Sequence, residues 1–406
     1  MPAYFDHAAT APLHPAARAA LVDALDRLGN PSSIHAHGQR ARRALEDARA
    51  RIGASLGAEA IETVLTSGGT ESINLAIKGL WWARNRDAAR PRILTTRAEH
   101  HSTLDAVAWL VDRQGAQVTW LPVDAVGRVD LAALEQELAG DGGADVALVT
   151  LLHANNEIGT VQPVRAVAQL AAAAGVPVHI DAVASYGQLP VSLHDLGVAA
   201  LSVSAHKVGG PVGVGALAVA RGTSPEALLH GGGQQLGFRS GTQDVVGALA
   251  FAAVADELVA HAEEAAASQR RARDEVLWLV RHHAPEAELR GDDPDAILDD
   301  AGTEVPARLP GNAHFTFPGS QGDSLLFLLD MAGVSASTGS ACQAGIPEPS
   351  HVLLATGLDE ATARGALRFT VGAETTAEEL AALDASLPGV VAQARKAGLS
   401  NREVRL

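Results

Sequence analysis

The sequence predicts an α/β protein with a mostly parallel seven-stranded sheet in a large domain and a smaller α+β domain. Three observations predict it. Apolar runs of strand length alternate with helical patterns through the first half of the chain, the alternation stops near residue 245, and 47% of the 406 residues are hydrophobic while only 3% are aromatic. Alternating strands and helices cover a sheet on both faces, which favours parallel strands. The length exceeds one domain of roughly 150 residues, and a core so poor in aromatics must be built from Ala, Val, Leu and Ile.

The elements follow in order. From Pro12 to Leu28, the residues Leu13, Ala17, Leu21, Leu25 and Leu28 fall on one helical face, and Gly29-Asn30-Pro31 stops the helix. A second, charged helix spans Ala36 to Leu56. Strands are expected at Thr63–Thr66, Arg92–Thr95, Gln117–Leu121, Val146–Leu152, Val176–Ile180, Leu201–Ser204 and Val214–Ala220. Helices separate most of them, at Glu71–Arg84, Ser102–Arg113, Leu131–Leu138 and Val164–Ala174. The last two strands are joined by Gly209-Gly210-Pro211-Val212-Gly213, too short for a crossover helix, so one antiparallel strand is expected there. After Val245 comes a long helix to about His283, then an acidic stretch from Asp292 to Pro310. A strand at Ala313–Phe317, a helix at Asp323–Met331 and a helix after Thr376 complete the chain. The division drawn from this is a large domain over residues 15–260 and a small domain formed by 1–14 and 261–406.

Charge and cysteine content narrow the function. The formal net charge of −16 disfavours non-specific binding to nucleic acid or anionic membrane. A single cysteine excludes an internal disulfide and a multi-cysteine zinc site. The start, Met1–His7, lacks a basic and apolar leader pattern, and no spanning helix is expected, so a reducing cytoplasm is the expected location.

Five constellations carry chemistry. Lys207 follows the strand-like Ser202-Val203-Ser204; a lysine there is poorly solvated, and desolvation favours the neutral amine that forms a Schiff base. Asp181 ends another strand, at the sheet edge where α/β proteins bind ligands. Thr66-Ser67-Gly68-Gly69-Thr70-Glu71 joins a strand to a helix and offers backbone amides to a phosphate. In Glu99-His100-His101-Ser102, a histidine after a strand can stack on a flat cofactor and move protons. Cys342, the only cysteine, sits in Ser337-Thr338-Gly339-Ser340-Ala341-Cys342-Gln343-Ala344-Gly345, where a thiol can be exposed and reactive. Each has an ordinary alternative on its own: a loop lysine, a capping aspartate, a capped turn, a structural histidine, a buried thiol.

In combination these stretches resemble the cysteine desulfurases, within the fold-type I, class V aminotransferase-like enzymes. The resemblance runs through Tyr4-Phe5-Asp6-His7-Ala8-Ala9-Thr10-Ala11-Pro12, Gly29-Asn30-Pro31-Ser32-Ser33, the turn at Thr70 and Glu99-His100. It continues with Asn155-Asn156-Glu157-Ile158-Gly159, Asp181, His206-Lys207 and Arg239-Ser240-Gly241-Thr242. It ends with Gly339-Ser340-Ala341-Cys342 and Leu367-Arg368-Phe369. It implies pyridoxal 5′-phosphate as cofactor, with Lys207 as Schiff-base lysine, Asp181 on the pyridine nitrogen and His100 stacked on the ring. Gly69, Thr70, Ser204 and His206 would hold the phosphate, and Thr242 that of a partner subunit in a homodimer. Asn156 would sit near the ring oxygen and the substrate carboxylate, and Arg368 would grip that carboxylate. The implied catalytic residues are Lys207, His100 and Cys342, the last receiving sulfur from L-cysteine on a mobile loop of the housekeeping type. The sulfur would pass to acceptor proteins for iron–sulfur cluster assembly or tRNA thiolation, and no metal is implied.

The sequence departs from that pattern in three places. Ala184 stands where the family has a glutamine for the ring hydroxyl. Gln235-Leu236 replaces a Glu-Arg pair near the site, and Val212 replaces a loop lysine. A selenocysteine lyase, a related class V transaminase or lyase, and a non-catalytic scaffold that binds sulfur-transfer partners are the alternatives. Intact Lys207, Asp181, His100, Cys342 and Arg368 argue against the last.

Overall fold

The computed structural model describes residues 2–339 and 348–403, so Cys342 lies outside the described residues. Strand β1 (Ala3–Tyr4) opens the chain. Seven strands follow: β2 (Thr63–Thr66), β3 (Arg92–Thr96), β4 (Gln117–Leu121), β5 (Val146–Leu152), β6 (Val178–Asp181), β7 (Ala200–Ser204) and β8 (Gly215–Val219). They form one sheet in the order β2-β8-β7-β6-β5-β3-β4. Strand β8 is antiparallel to β2 and β7, and the other pairs are parallel. The α/β class and the single antiparallel strand expected after the glycine-rich turn are both present. Strands β5 to β8 are buried along their whole length, as a sheet covered on both faces requires. One face packs on the helices Gly69–Arg84 and His101–Gln114 through Ile73, Trp81 and Leu110. The other packs on Ile52, Val167 and Phe251 from three further helices.

Six more strands complete the set: β9 (Glu288–Arg290), β10 (Ile297–Asp300), β11 (Thr303–Pro306), β12 (Asn312–Thr316), β13 (Val334–Ser335) and β14 (Ala366–Thr370). Strands β14, β12 and β9 make an antiparallel sheet in that order, and β1 pairs in parallel with β13. A second core gathers there, with Phe5, Phe315, Phe369, Leu325 and Leu387. The helix Val245–His283 serves both cores, Phe251 and Ala255 in the first, Val276 and Val280 in the second, and its dihedrals break from helical values at His261 (φ −126°). By length and composition this helix could cross a membrane, but its buried apolar residues pack in the two cores.

Two expectations are corrected. Only the middle of the first helix's predicted apolar face reaches a core: Ala17 is buried and Leu21 packs beside it against Ala250 and Val254, whereas Leu13 is exposed. The helix is shorter, Pro15–Ala24, and packs through the small residues Ala17 and Ala24, which leaves Leu25 and Leu28 69% and 77% exposed. The acidic stretch after Asp292 contains the β10–β11 hairpin. Its turn places Ala301 and Gly302 at positive φ (53° and 84°), and alanine there hides the usual Asn-Gly or Asp-Gly signal. The hairpin has a purpose in the fold: the Asp300 carboxylate accepts from the amides of Arg165 and Ala166, both at 2.9 Å. This satisfies the start of the helix Val164–Ala173, which has no capping side chain of its own.

Phe251 is fully buried and meets Tyr186 edge-on at 6.1 Å. Phe251→Ala is expected to lose about 3–5 kcal/mol of stability, seen as a lower midpoint in urea unfolding followed by circular dichroism.

Candidate active site

Six strands of the main sheet point the same way, so β2, β3, β5, β6 and β7 deliver their exits to one edge. That edge is where open α/β sheets bind ligands. From β2 the chain enters the turn Ser67-Gly68-Gly69 and the helix Gly69–Arg84, whose N-terminus has no side-chain cap. Gly68 holds φ +147°, and a Cβ on Gly215 of β8 would lie 2.6 Å from the Gly68 Cα. Only glycine allows the two backbones to approach so closely. The side chain of Ser204, the last residue of β7, lies against the same turn, 3.7 Å from where a Gly68 Cβ would be. Its Oγ is buried without a hydrogen-bond partner. An uncapped helix start beside an unsatisfied hydroxyl is a cradle for an anion such as phosphate.

Lys207 follows Ser204 in the short turn Ala205–Val208. Its Nζ donates to the carbonyls of Ala8 (2.5 Å) and Ala9 (3.0 Å). The N-terminal segment that supplies them is itself held by the Ala11 amide on the His206 carbonyl at 2.9 Å. Burial, helped by the Arg368 guanidinium and opposed by Asp181 and Asp6, brings the amine down to about 8. Asp181, the end residue of β6, is buried and accepts from the Val183 amide at 2.9 Å. Burial raises it to about 6, against the pull of that amide and Lys207, so it is largely ionised at neutral pH.

His100 caps the helix His101–Gln114, its Nδ1 taking the Ser102 amide at 3.1 Å. Burial first, then the charges of Lys207, His101 and His351, lower it to about 4, so the ring is neutral. Glu99 beside it is buried, accepts from Thr96 Oγ1 at 2.9 Å, and has one oxygen without a partner. Burial, reinforced by the Asp181 charge, lifts it to about 8. Of these two carboxyls Asp181 therefore carries the negative charge and Glu99 stays protonated.

Arg368 comes from the second sheet, on β14, and is 5% exposed. Its guanidinium donates to the Asn156 carbonyl (2.7 Å) and Asp6 Oδ1 (2.9 Å), while its Nε has no partner. Asn156 lies in the exit loop of β5, which Asn155 ties to the exit of β3 through the Ala98 carbonyl at 2.9 Å. Lys207, Asp181, His100, Arg368 and Asn156 thus share one neighbourhood. His206 is half-buried, with Nδ1 3.3 Å from Thr10 Oγ1, and Thr70 is exposed on the helix start. Thr242 is also exposed, three residues from Arg239, whose Nε grips Glu71 at 2.8 Å.

The departures acquire a geometry. Ala184 packs in an apolar group with Ala154, Val161 and Leu309 and offers no polar side chain. Gln235 does not leave a gap where a charge was expected: it is buried, and its Oε1 accepts from Arg49 Nη1 and from the Leu65 amide (3.2 Å). Asp6 and Glu99 are the site groups that residue-by-residue reasoning missed. Their signals were present, as polar residues inside the quoted N-terminal and Glu-His stretches.

The aminotransferase class-V family matches residues 3–383 of the chain. An IscS-like cysteine desulfurase from Mycobacterium tuberculosis is 48% identical over 400 residues, covering 98% of each chain. The chain belongs to the cysteine desulfurases of the aminotransferase class-V family. Among solved structures, a NifS-like protein superposes with a TM-score of 0.85 at 31% identity, over 97% of this chain and 100% of that one. A structure described as SspA in complex with cysteine gives 0.75 at 31% identity, over 92% and 99%. These likenesses agree with the family and fold expected from the sequence. Among the described residues, no group of three or more His, Cys, Asp or Glu side chains is arranged to hold a metal ion.

Gly215→Ala is expected to push the Gly68 turn outward and weaken anion binding there, raising the dissociation constant for inorganic phosphate at least about tenfold. Equilibrium dialysis of the apoprotein measures this, and circular dichroism checks that the sheet persists.

Proposed function

We propose that this chain takes sulfur from L-cysteine, releases L-alanine, and holds the sulfur as a persulfide on Cys342, with pyridoxal 5′-phosphate as its cofactor. The observation that carries the reading is the convergence of the Lys207 amine, the Asp181 carboxylate and the unsatisfied Ser204 hydroxyl at one sheet edge. The solved relative described in complex with cysteine supports the substrate.

The residues present fit the cofactor. The uncapped helix start at Gly69 and Thr70, with Ser204 and His206 alongside, suits its phosphate, and an ionised Asp181 suits a protonated pyridine nitrogen. Thr242, exposed beyond Arg239, is assigned to the phosphate of a second subunit. When bound, the cofactor supplies an electron sink for the bond broken at the substrate Cα. The chain's own residues do the rest. Arg368 holds the substrate carboxylate with its free Nε, and Asn156 borders the same position. Lys207, its pKa lowered to about 8, takes and returns the Cα proton. His100, a neutral imidazole whose pKa the Lys207 charge helps to lower, is suited to relay a proton. In the transfer, the C–S bond of L-cysteine breaks and an S–S bond forms on Cys342. The product Cβ takes the electron pair and a proton, so that L-cysteine and a thiol become L-alanine and a persulfide.

A homodimer is part of the proposal, and apolar side chains at Leu25, Leu28 and Ile34 (91% exposed) offer surface for it. The acceptors proposed are an iron–sulfur scaffold or a tRNA-thiolating enzyme, reached by protein–protein contact, since the net charge of −16 disfavours direct RNA binding. A reducing cytoplasm is the proposed setting, because the thiol must persist.

The purified protein incubated with L-cysteine should yield alanine and a Cys342 persulfide together, detected by amino-acid analysis and mass spectrometry. Lys207→Ala should abolish both turnover and the visible absorbance of the bound cofactor. Cys342→Ser should keep the absorbance and stop persulfide formation. A Lys207→Ala protein that keeps both colour and turnover overturns the assignment. The pH dependence has a defined sign. The rate at which the apoprotein captures the cofactor aldehyde should rise as pH passes about 8, as Lys207 loses its proton, and kcat/KM should fall as pH drops through about 6, as Asp181 gains one.

A further inference from the structure

The edge of the main sheet opposite the site holds a cavity of about 560 Å³. It lies against the starts of β6 and β7 and the end of β8, where the chain turns through Gly175, Gly197 and Gly222, all at positive φ (66°, 69° and 87°). Asp181 and Ser204 close the other ends of β6 and β7, so this cavity and the phosphate cradle stand on opposite edges. Its floor is apolar, formed by the buried side chains of Leu80, Val176 and Val178. The charged side chains in its wall are Arg84 and Arg86, and no Asp or Glu is among the described residues that line it. In a chain with 47 acidic and 31 basic residues, such a lining runs against the composition. Its size falls within the roughly 300–1,000 Å³ of small-molecule sites, which combine an apolar lining with a few polar groups.

Arg84 is the last residue of the helix Gly69–Arg84, so the phosphate cradle and this cavity occupy the two ends of one helix about 24 Å long, at 1.5 Å per residue. Its side chain is half-buried, its Nε is buried without a hydrogen-bond partner, and its Nη2 reaches only the Val146 carbonyl, at 3.5 Å. Arg84 forms no ion pair among the described residues, and burial, then the charge of Arg90, lower its pKa. Nor is its guanidinium spent on the end of its own helix. Arg90 Nη1 donates to the Arg84 carbonyl, and Asn85 Nδ2 to the Trp81 carbonyl, both at 2.9 Å. Arg86, by contrast, is paired with Glu226 at 2.7 Å. A partly desolvated cation without a counter-charge is costly, and an anion that reaches it removes that cost.

We propose that this cavity binds a small carboxylate with an apolar body, the carboxylate on the Arg84 guanidinium and the body on the floor of Leu80, Val176 and Val178. Charge complementarity selects the head group, because a planar guanidinium donates parallel N–H bonds to a carboxylate. A single unpaired cation matches a monoanion better than a phosphate dianion. The floor selects the body, since apolar surface taken out of water drives binding on that side. The cavity shares no side chain with the sulfur chemistry described above, so the proposal stands apart from it.

The test titrates the full-length, cofactor-loaded protein with octanoate by isothermal calorimetry, with octanamide as the uncharged counterpart and inorganic phosphate as an anion without a body. Octanoate should bind with a stoichiometry of about one per chain, and octanamide and phosphate each at least about tenfold more weakly, since each lacks one half of the recognition. Arg84→Gln should weaken octanoate at least about tenfold and leave octanamide within about twofold, whereas Arg86→Gln, which removes a cation already paired, should cost octanoate less than about threefold. Circular dichroism checks that the variants fold. In the parent protein, saturating octanoate should slow the modification of Arg84 by phenylglyoxal, followed by peptide mass spectrometry, and this arm decides the matter if Arg84→Gln does not fold. Octanoate and octanamide binding alike, phosphate binding as tightly as octanoate, an affinity for octanoate unchanged in Arg84→Gln, or no binding of octanoate to the parent each overturns the proposal.

Discussion

The site depends on one electrostatic balance, that of the Lys207 amine. Burial brings its pKa down to about 8, and Arg368 pushes in the same direction, yet Asp181, Asp6 and two backbone carbonyls keep it from being stranded without partners. None of these groups is its neighbour in sequence. They are assembled by the parallel sheet, which brings strand exits to one edge, and by the N-terminal segment, which crosses over the lysine to supply the Ala8 and Ala9 carbonyls. If the N-terminal segment were lifted away, the amine would gain water and its pKa would return toward the ordinary lysine value. Residues 6–11 are thus part of the reactive centre.

The same logic separates the two acids. Asp181 and Glu99 are both buried, and two neighbouring carboxylates in a dry site do not both ionise readily. Asp181 has the Val183 amide and Lys207 to stabilise its charge, whereas Glu99 has a threonine hydroxyl and an unpaired oxygen. The charge settles on the residue that faces the proposed ring nitrogen. A row of hydrogen bonds runs beneath it, with His179 bridging Thr150 and Ser202 at 2.9 Å on each side across three strands, and fixes the strand that ends in Asp181.

Much of this was legible in the sequence, for definite reasons. Continuous apolar runs such as Val146–Leu152 mark strands buried on both faces, and the short Gly209–Gly213 connection leaves no room for a crossover, so the sheet and its antiparallel member could be read directly. Lys207, Asp181 and the Gly68-Gly69 turn were visible because each sits at the end of such a run. What escaped was decided by contacts between distant segments. The leucines of the first helix look like one core stripe, but only Leu21 of them packs, beside Ala17, while Leu25 and Leu28 lie beyond the helix and are exposed. The β10–β11 hairpin is masked by an alanine at a left-handed position. Gln235 reads as a lost charge until Arg49 and the Leu65 amide are found on its side-chain oxygen.

The helix Val245–His283 has a mechanical corollary. It is anchored by Phe251 in one core and by Val280 in the other, with its only non-helical dihedrals at His261 between them. The stretch beyond that break is a stiff rod about 33 Å long, at 1.5 Å per residue. A change of a few degrees at that joint is magnified along the rod into a translation of roughly 2–3 Å at its tip. Strand β12, hydrogen-bonded to the strand that carries Arg368, packs against this helix, so torsion at one backbone position is transmitted to the sheet on which that arginine stands.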